Sequence, residues 1–141
     1  IKSRPKGAYV YLDGAYKGKT PLDLPATQDQ HRLALLLKRH ALYRETVEGT
    51  ASVNIQLKKA DKLPRGRANV KVKCSRKNKS RYYILVDGKN TGLLCPQSRL
   101  KIPKGKHTIE IYDAETDVTE THEVNVVNTH RSIRIRADSA K

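Results

Sequence analysis

The chain has 141 residues, 37% of them apolar, with seven tyrosines as its only large aromatics and no Phe, Trp or Met. A core must therefore be built from Val, Ile, Leu and tyrosine rings, which favours thin β layers over a thick helical interior. Its 29 Lys+Arg against 14 Asp+Glu leave a formal net charge of +15, a bias toward anionic partners, and no apolar run approaches the roughly 20 residues of a bilayer span.

No signal peptide is visible, and a start at Ile1-Lys2-Ser3 without Met reads as a piece cut from a longer protein. In chain order, alternating apolar residues predict strands near 8–13, 15–19, 31–38, 43–48 and 52–58. The stretch from Arg32 to Leu42 carries Leu33, Leu35, Leu36, Leu37 and Leu42 and could also form a short helix. A second series of strands follows near 69–74, 82–87, 89–92, 106–112, 118–126 and 130–136. The second series repeats the first. Tyr9-Val-Tyr-Leu-Asp13-Gly14 aligns with Tyr83-Ile-Leu-Val-Asp87-Gly88, the second glycine 74 positions after the first. Leu24-Pro25 with His31, Leu33 and Leu35 aligns with Ile102-Pro103 with His107, Ile109 and Ile111. Thr108-Ile-Glu-Ile-Tyr112 alternates cleanly, so its counterpart near 31–38 is assigned as a strand.

The expected fold is all-β: two tandem small antiparallel β-sandwich-like modules over 1–60 and 67–138. A linker over 61–66 carries Pro64 and Gly66 among charges. Ser3 corresponds to Cys74, so the first copy lacks the beginning of its opening strand. Asp13-Gly14 and Asp87-Gly88 are expected to be structural turns, because a type I′ hairpin turn needs positive φ at both central residues.

The run Arg4-Pro5-Lys6-Gly7-Ala8-Tyr9-Val10-Tyr11-Leu12-Asp13-Gly14, then Gly18-Lys19-Thr20-Pro21 and the strand opened by His31, resembles a PEGA domain. Lys6 replaces the usual Glu, and the Pro-Gly before His31 is missing. The second copy keeps Val86-Asp87-Gly88 and Pro103-Lys-Gly105-Lys-His107 but has lost the Pro-x-Gly-Ala lead-in. The resemblance implies small β-sandwich-like domains, found mainly in bacterial envelope proteins or appended to signalling proteins such as receptor-like Ser/Thr kinases. It implies no catalytic residues and no cofactor.

The residues themselves offer no nucleophile with a base, and no metal spacing. Gly18-Lys19-Thr20 lacks the earlier glycine and following helix of a phosphate loop. His31 and His107 stand at matching strand starts, where a shared structural role is expected, while His40, His122 and His130 have no repeat partner. Cys74 and Cys95 both sit where the second copy departs from the first. They read either as a disulfide, adding about 3 kcal/mol in the chain-entropy model and fitting an oxidising compartment, or as two separate buried thiols. From Arg65 to Arg81 there are eight basic residues and no acidic one, and one of Tyr82 and Tyr83 is expected to be buried by strand alternation. Arg76, Lys77, Lys79 and Arg81 are the candidate contacts to a polyanion or protein partner.

Together these features predict a non-catalytic binding or spacer module of a larger bacterial envelope or signalling protein. Its partner would be a protein or an anionic cell-surface polymer. The alternative is a nucleic-acid-binding accessory domain working through Arg65–Arg81. The setting expected is extracytoplasmic, with a cytoplasmic one as the alternative.

Overall fold

The computed structural model describes residues 1–64, 66–74, 81–95, 97–126 and 133–137, with residues 98, 99 and 133–137 described in backbone only. These residues are all-β and form two small modules. The first comprises β1 (Lys2–Arg4), β2 (Tyr9–Leu12), β3 (Ala15–Lys19), β4 (Gln30–Leu36), β5 (Tyr43–Glu48) and β6 (Asn54–Gln56). The second comprises β7 (Ala68–Cys74), β8 (Tyr82–Val86), β9 (Lys89–Leu94), β10 (Gln97–Ile102), β11 (Gly105–Asp113), β12 (Val118–Val126) and β13 (Ile133–Ala137).

The two modules share one topology. In each, a four-stranded antiparallel sheet runs in the corresponding order, β3-β2-β4-β5 and β9-β8-β11-β12. In each, the opening and closing strands pair in parallel, Ser3 opposite Ile55 and Val72 opposite Ile135. The second module adds β10, antiparallel to β7; the sequence reading did not assign β10, which lies between Pro96 and Pro103.

Three apolar clusters fill the spaces between layers. Val10, Leu33, Leu35 and Leu57 fill the first module. Val70, Val72, Tyr82, Ile84, Ile109 and Ile111 fill the second. The third cluster lies between the two four-stranded sheets and draws Tyr11, Ala34 and Leu36 from one module and Tyr83, Leu94 and Tyr112 from the other. The inner strands β2, β4, β8 and β11 are therefore covered on both faces. A strand buried on both faces has no need to alternate, which explains the helix-like leucine run: residues 30–36 form β4. It also corrects the expectation for the tyrosine pair. Both Tyr82 and Tyr83 are fully buried, Tyr82 inside its own module and Tyr83 in the joint between modules.

The joint is polar at its edges. The Tyr83 hydroxyl donates to His40 O at 2.8 Å and accepts the Gly92 amide at 2.9 Å. Burial pushes this hydroxyl up to about 12. The Arg39 amide donates to Gly92 O, and Asn90 and Asp61 exchange two hydrogen bonds at 2.8 and 2.9 Å. The Arg44 guanidinium lies 4.6 Å above the Tyr112 ring. Gly92, with φ 70°, must be glycine here: a Cβ would come within 2.7 Å of Arg39 Cα.

Candidate binding surfaces

The two Asp-Gly turns build the same small structure twice. Asp13 and Gly14 have φ of 52° and 84°, and Asp87 and Gly88 have 52° and 76°, which are the positive values of a type I′ turn. In each turn the aspartate reaches across to the neighbouring strand. Asp13 Oδ1 accepts the Arg32 amide at 2.9 Å while Oδ2 lies 2.5 Å from His31 Nδ1. Asp87 Oδ1 accepts the Thr108 amide at 2.8 Å while Oδ2 lies 2.7 Å from His107 Nδ1. The far nitrogen of each ring is also engaged, His31 with Thr27 Oγ1 and His107 as donor to Pro103 O.

The electrostatics follow from these contacts. The Arg32 amide and then His31 hold the Asp13 carboxyl below the usual range. Burial pushes Asp87 up, but His107 and the Thr108 amide outweigh it and hold that carboxyl low as well. The Asp87 hydrogen bond raises His107. Both histidines are thus anchored between a turn and a strand start.

Cys74 and Cys95 are joined by a disulfide, with their Cα atoms 6.2 Å apart. The bond ties the end of β7 to the segment after β9. Arg76, Lys77 and Lys79 lie outside the described residues. Arg81 is described, and its guanidinium is taken up inside the protein. Nε and Nη2 donate to the two oxygens of Asp113, both at 2.6 Å, and Nη1 lies 2.9 Å from Glu115. Asp113 is fully buried and the Arg81 side chain is 9% exposed. Asp113 raises the arginine above its ordinary range. With three of its five N–H donors directed at Asp113 and Glu115 and its side chain 9% exposed, this guanidinium is spent mainly on internal carboxylates rather than on an external anion. The sequence reading grouped Arg81 with its basic neighbours since Asp113 lies 32 positions away.

Among the described residues, exposed positive charge includes Arg67 and Lys73 within the basic segment and Lys58, Lys59, Lys62 and Lys101 outside it. Among the described residues no three His, Cys, Asp or Glu side chains gather where a metal could be held, and no helix is long and apolar enough to cross a membrane.

Sequence reasoning missed a groove. A hollow of about 430 Å³ opens in the first module, with Leu12, Leu24, Val47 and Val53 among its apolar walls and Asp13 and His31 at its edge.

No curated protein and no solved structure matches the chain. The family described as PEGA domain matches residues 1–67, so the first module, together with the segment that leads out of it, is similar to that family.

Proposed function

We propose that the chain is a non-catalytic spacing and binding element of a larger bacterial envelope or signalling protein, with its second module a divergent copy of the first. The similarity of residues 1–67 to PEGA domains supports an extracytoplasmic, envelope-associated setting. The observation that carries the spacing role is the joint: two sheets share an aromatic cluster and are stitched at the rim by Tyr83, Asn90 and Asp61. Interfaces between domains that are small and polar leave the domains free to swing. A desolvated tyrosine cluster with paired edges makes one stiff unit instead. Thermal unfolding with small-angle scattering tests this. One cooperative transition and a single compact form support the role, whereas separate transitions for the two modules overturn it.

For the partner, the net charge of +15 supports an anionic cell-surface polymer as the contact, with Arg76, Lys77 and Lys79 as the residues engaged. Binding to an anionic polysaccharide should weaken between about 50 and 200 mM salt and drop when the three residues are changed to Gln. Tight duplex or single-strand nucleic-acid binding at physiological salt, lost in the same variant, would replace this reading.

A further inference from the structure

The outer strands of the two four-stranded sheets are unequally defended. β3 carries Lys17 and Lys19, and its register with β2 is broken. β9 also breaks register, and its Asn90 is tied to Asp61. β5 is six residues long, with Arg44 turned onto Tyr112 in the joint. Lysines, bulges and short length are devices by which sheet edges avoid pairing with other chains. β12 has none of these. It runs nine residues with every one in register with β11, and it contains no Lys, Arg or Pro. Among the described residues β12 pairs with β11 alone. Its counterpart β5 stays an outer edge although the whole second module follows it in the chain.

The sequence of β12 is complementary to itself when reversed. With Thr121 as the centre, an antiparallel copy sets Glu120 opposite His122, Thr119 opposite Glu123 and Val118 opposite Val124. Directly opposed residues share one face of a sheet, and these pairs satisfy that condition. Val118, Glu120, His122 and Val124 lie on the face where β11 presents Ile109 and Ile111, while Thr119, Thr121 and Glu123 lie on the other. Val118 is 42% exposed, one of two exposed large apolar side chains among the described residues. The neighbouring two-fold registers fit worse. A centre at His122 sets that ring against itself and Glu120 against Val124. A centre at Glu120 opposes two carboxylates directly and sets Asp117 against Glu123.

We propose that β12 is a self-association edge, at which two copies of the chain join antiparallel about Thr121. The two four-stranded sheets then become one continuous sheet, and the isologous contact closes at two copies. Opposite-charge, Thr–Thr and β-branched pairs are the cross-strand pairs that stabilise such a ladder. Two chains of net charge +15 repel each other, and this edge is where the repulsion is least: residues 108–123 hold six acidic residues and no Lys or Arg. The polymer contact proposed above uses Arg76, Lys77 and Lys79, so either reading can fail without the other.

Sedimentation velocity of the full chain over a concentration series tests the proposal. The result expected is a reversible monomer–dimer equilibrium, with amide exchange over 118–126 slowed as the dimer forms. Glu120 and His122 are 22% and 33% exposed, so both positions accept a changed side chain. Glu120→Lys removes the acceptor that faces His122, and His122→Glu sets carboxylates against each other. Each should weaken association at least about tenfold. Mixed in equal amounts, the two variants should dimerise with each other, because the new lysine meets the new carboxylate while His122 meets Glu120. A wild-type chain that stays monomeric at millimolar concentration overturns the proposal. So do single variants that associate like the wild type, or a mixture no heavier than its components. Exchange slowed at β3 or β5 in place of β12 overturns it whatever the variants do.

Discussion

The Ser3 hydroxyl lies 2.6 Å from that of Thr20, and this buried pair occupies the place where the second module joins Cys74 to Cys95. The backbone fixes the equivalence: the Thr20 amide donates to Ala8 O as the Cys95 amide donates to Tyr82 O, and Ala8 and Tyr82 are 74 positions apart, like the glycines of the two turns. One module holds its opening strand to its hairpin by hydrogen bonding, the other by a covalent bond.

Thr20→Val should therefore destabilise the first module. Thr20 Oγ1 accepts the amides of Gly7 at 3.1 Å and Ala8 at 3.0 Å, and valine keeps the shape while leaving those donors without this acceptor. The Gly7 amide keeps its bond to the Thr20 carbonyl, but the buried Ala8 amide is stranded, at a cost of about 1–3 kcal/mol read as a lowered urea midpoint. The double variant Ser3→Cys/Thr20→Cys should close a disulfide and recover stability under oxidising conditions only. A thiol assay that finds both sulfurs free after oxidation would refute the equivalence.

The two hairpins were legible because their markers are local: each Asp-Gly turn declares itself within six residues, and His31 and His107 follow at matching places. What escaped detection depends on distant partners. The parallel pairings of β1 with β6 and β7 with β13 join strands from opposite ends of each module, and no short-range signal encodes them. Tyr83 and Tyr11 looked like ordinary strand residues until the other module covered them.

Arg81 and Asp113 make the second prediction. Removing either partner strands a buried charge, so Arg81→Ala should cost about 3–5 kcal/mol. Replacing both, Arg81→Met with Asp113→Leu, should cost far less than the two single losses added together. A double-mutant cycle measured by chemical denaturation checks the pair, and additive losses would show that the two side chains do not act together.

The joint should loosen when its central hydroxyl is removed. Tyr83→Phe keeps the ring but takes away the acceptor for the Gly92 amide and the donor to His40 O. The expected loss is about 1–3 kcal/mol, with faster amide exchange at Gly92. Gly92→Ala is predicted to be worse, because its φ of 70° and the 2.7 Å approach to Arg39 strain both backbone and packing. Separation of the melt into two transitions in Gly92→Ala, with each module still folded, is the outcome expected. An unchanged single transition would place the coupling elsewhere.

The fourth prediction concerns pH. Pro103 O can only accept, so His107 Nε2 carries a proton, and Nδ1 needs a second one to donate to ionised Asp87. Folding therefore favours the imidazolium, and the histidine is raised above its ordinary value of 6.5, chiefly by the Asp87 hydrogen bond. The sign follows from linkage: a group raised on folding contributes stability that is fully present below its unfolded value and is lost as pH climbs through the folded one. Asp87, held below 3.8, works in the opposite direction, its contribution being present above that value and lost as pH falls through the folded one. Between these limits the pair is at full strength. Urea midpoints from about pH 5.5 to about 8.5 should decline in the wild-type chain and lose most of that slope in His107→Gln. Equal slopes in the two proteins would mean that the ion pair contributes nothing to the fold.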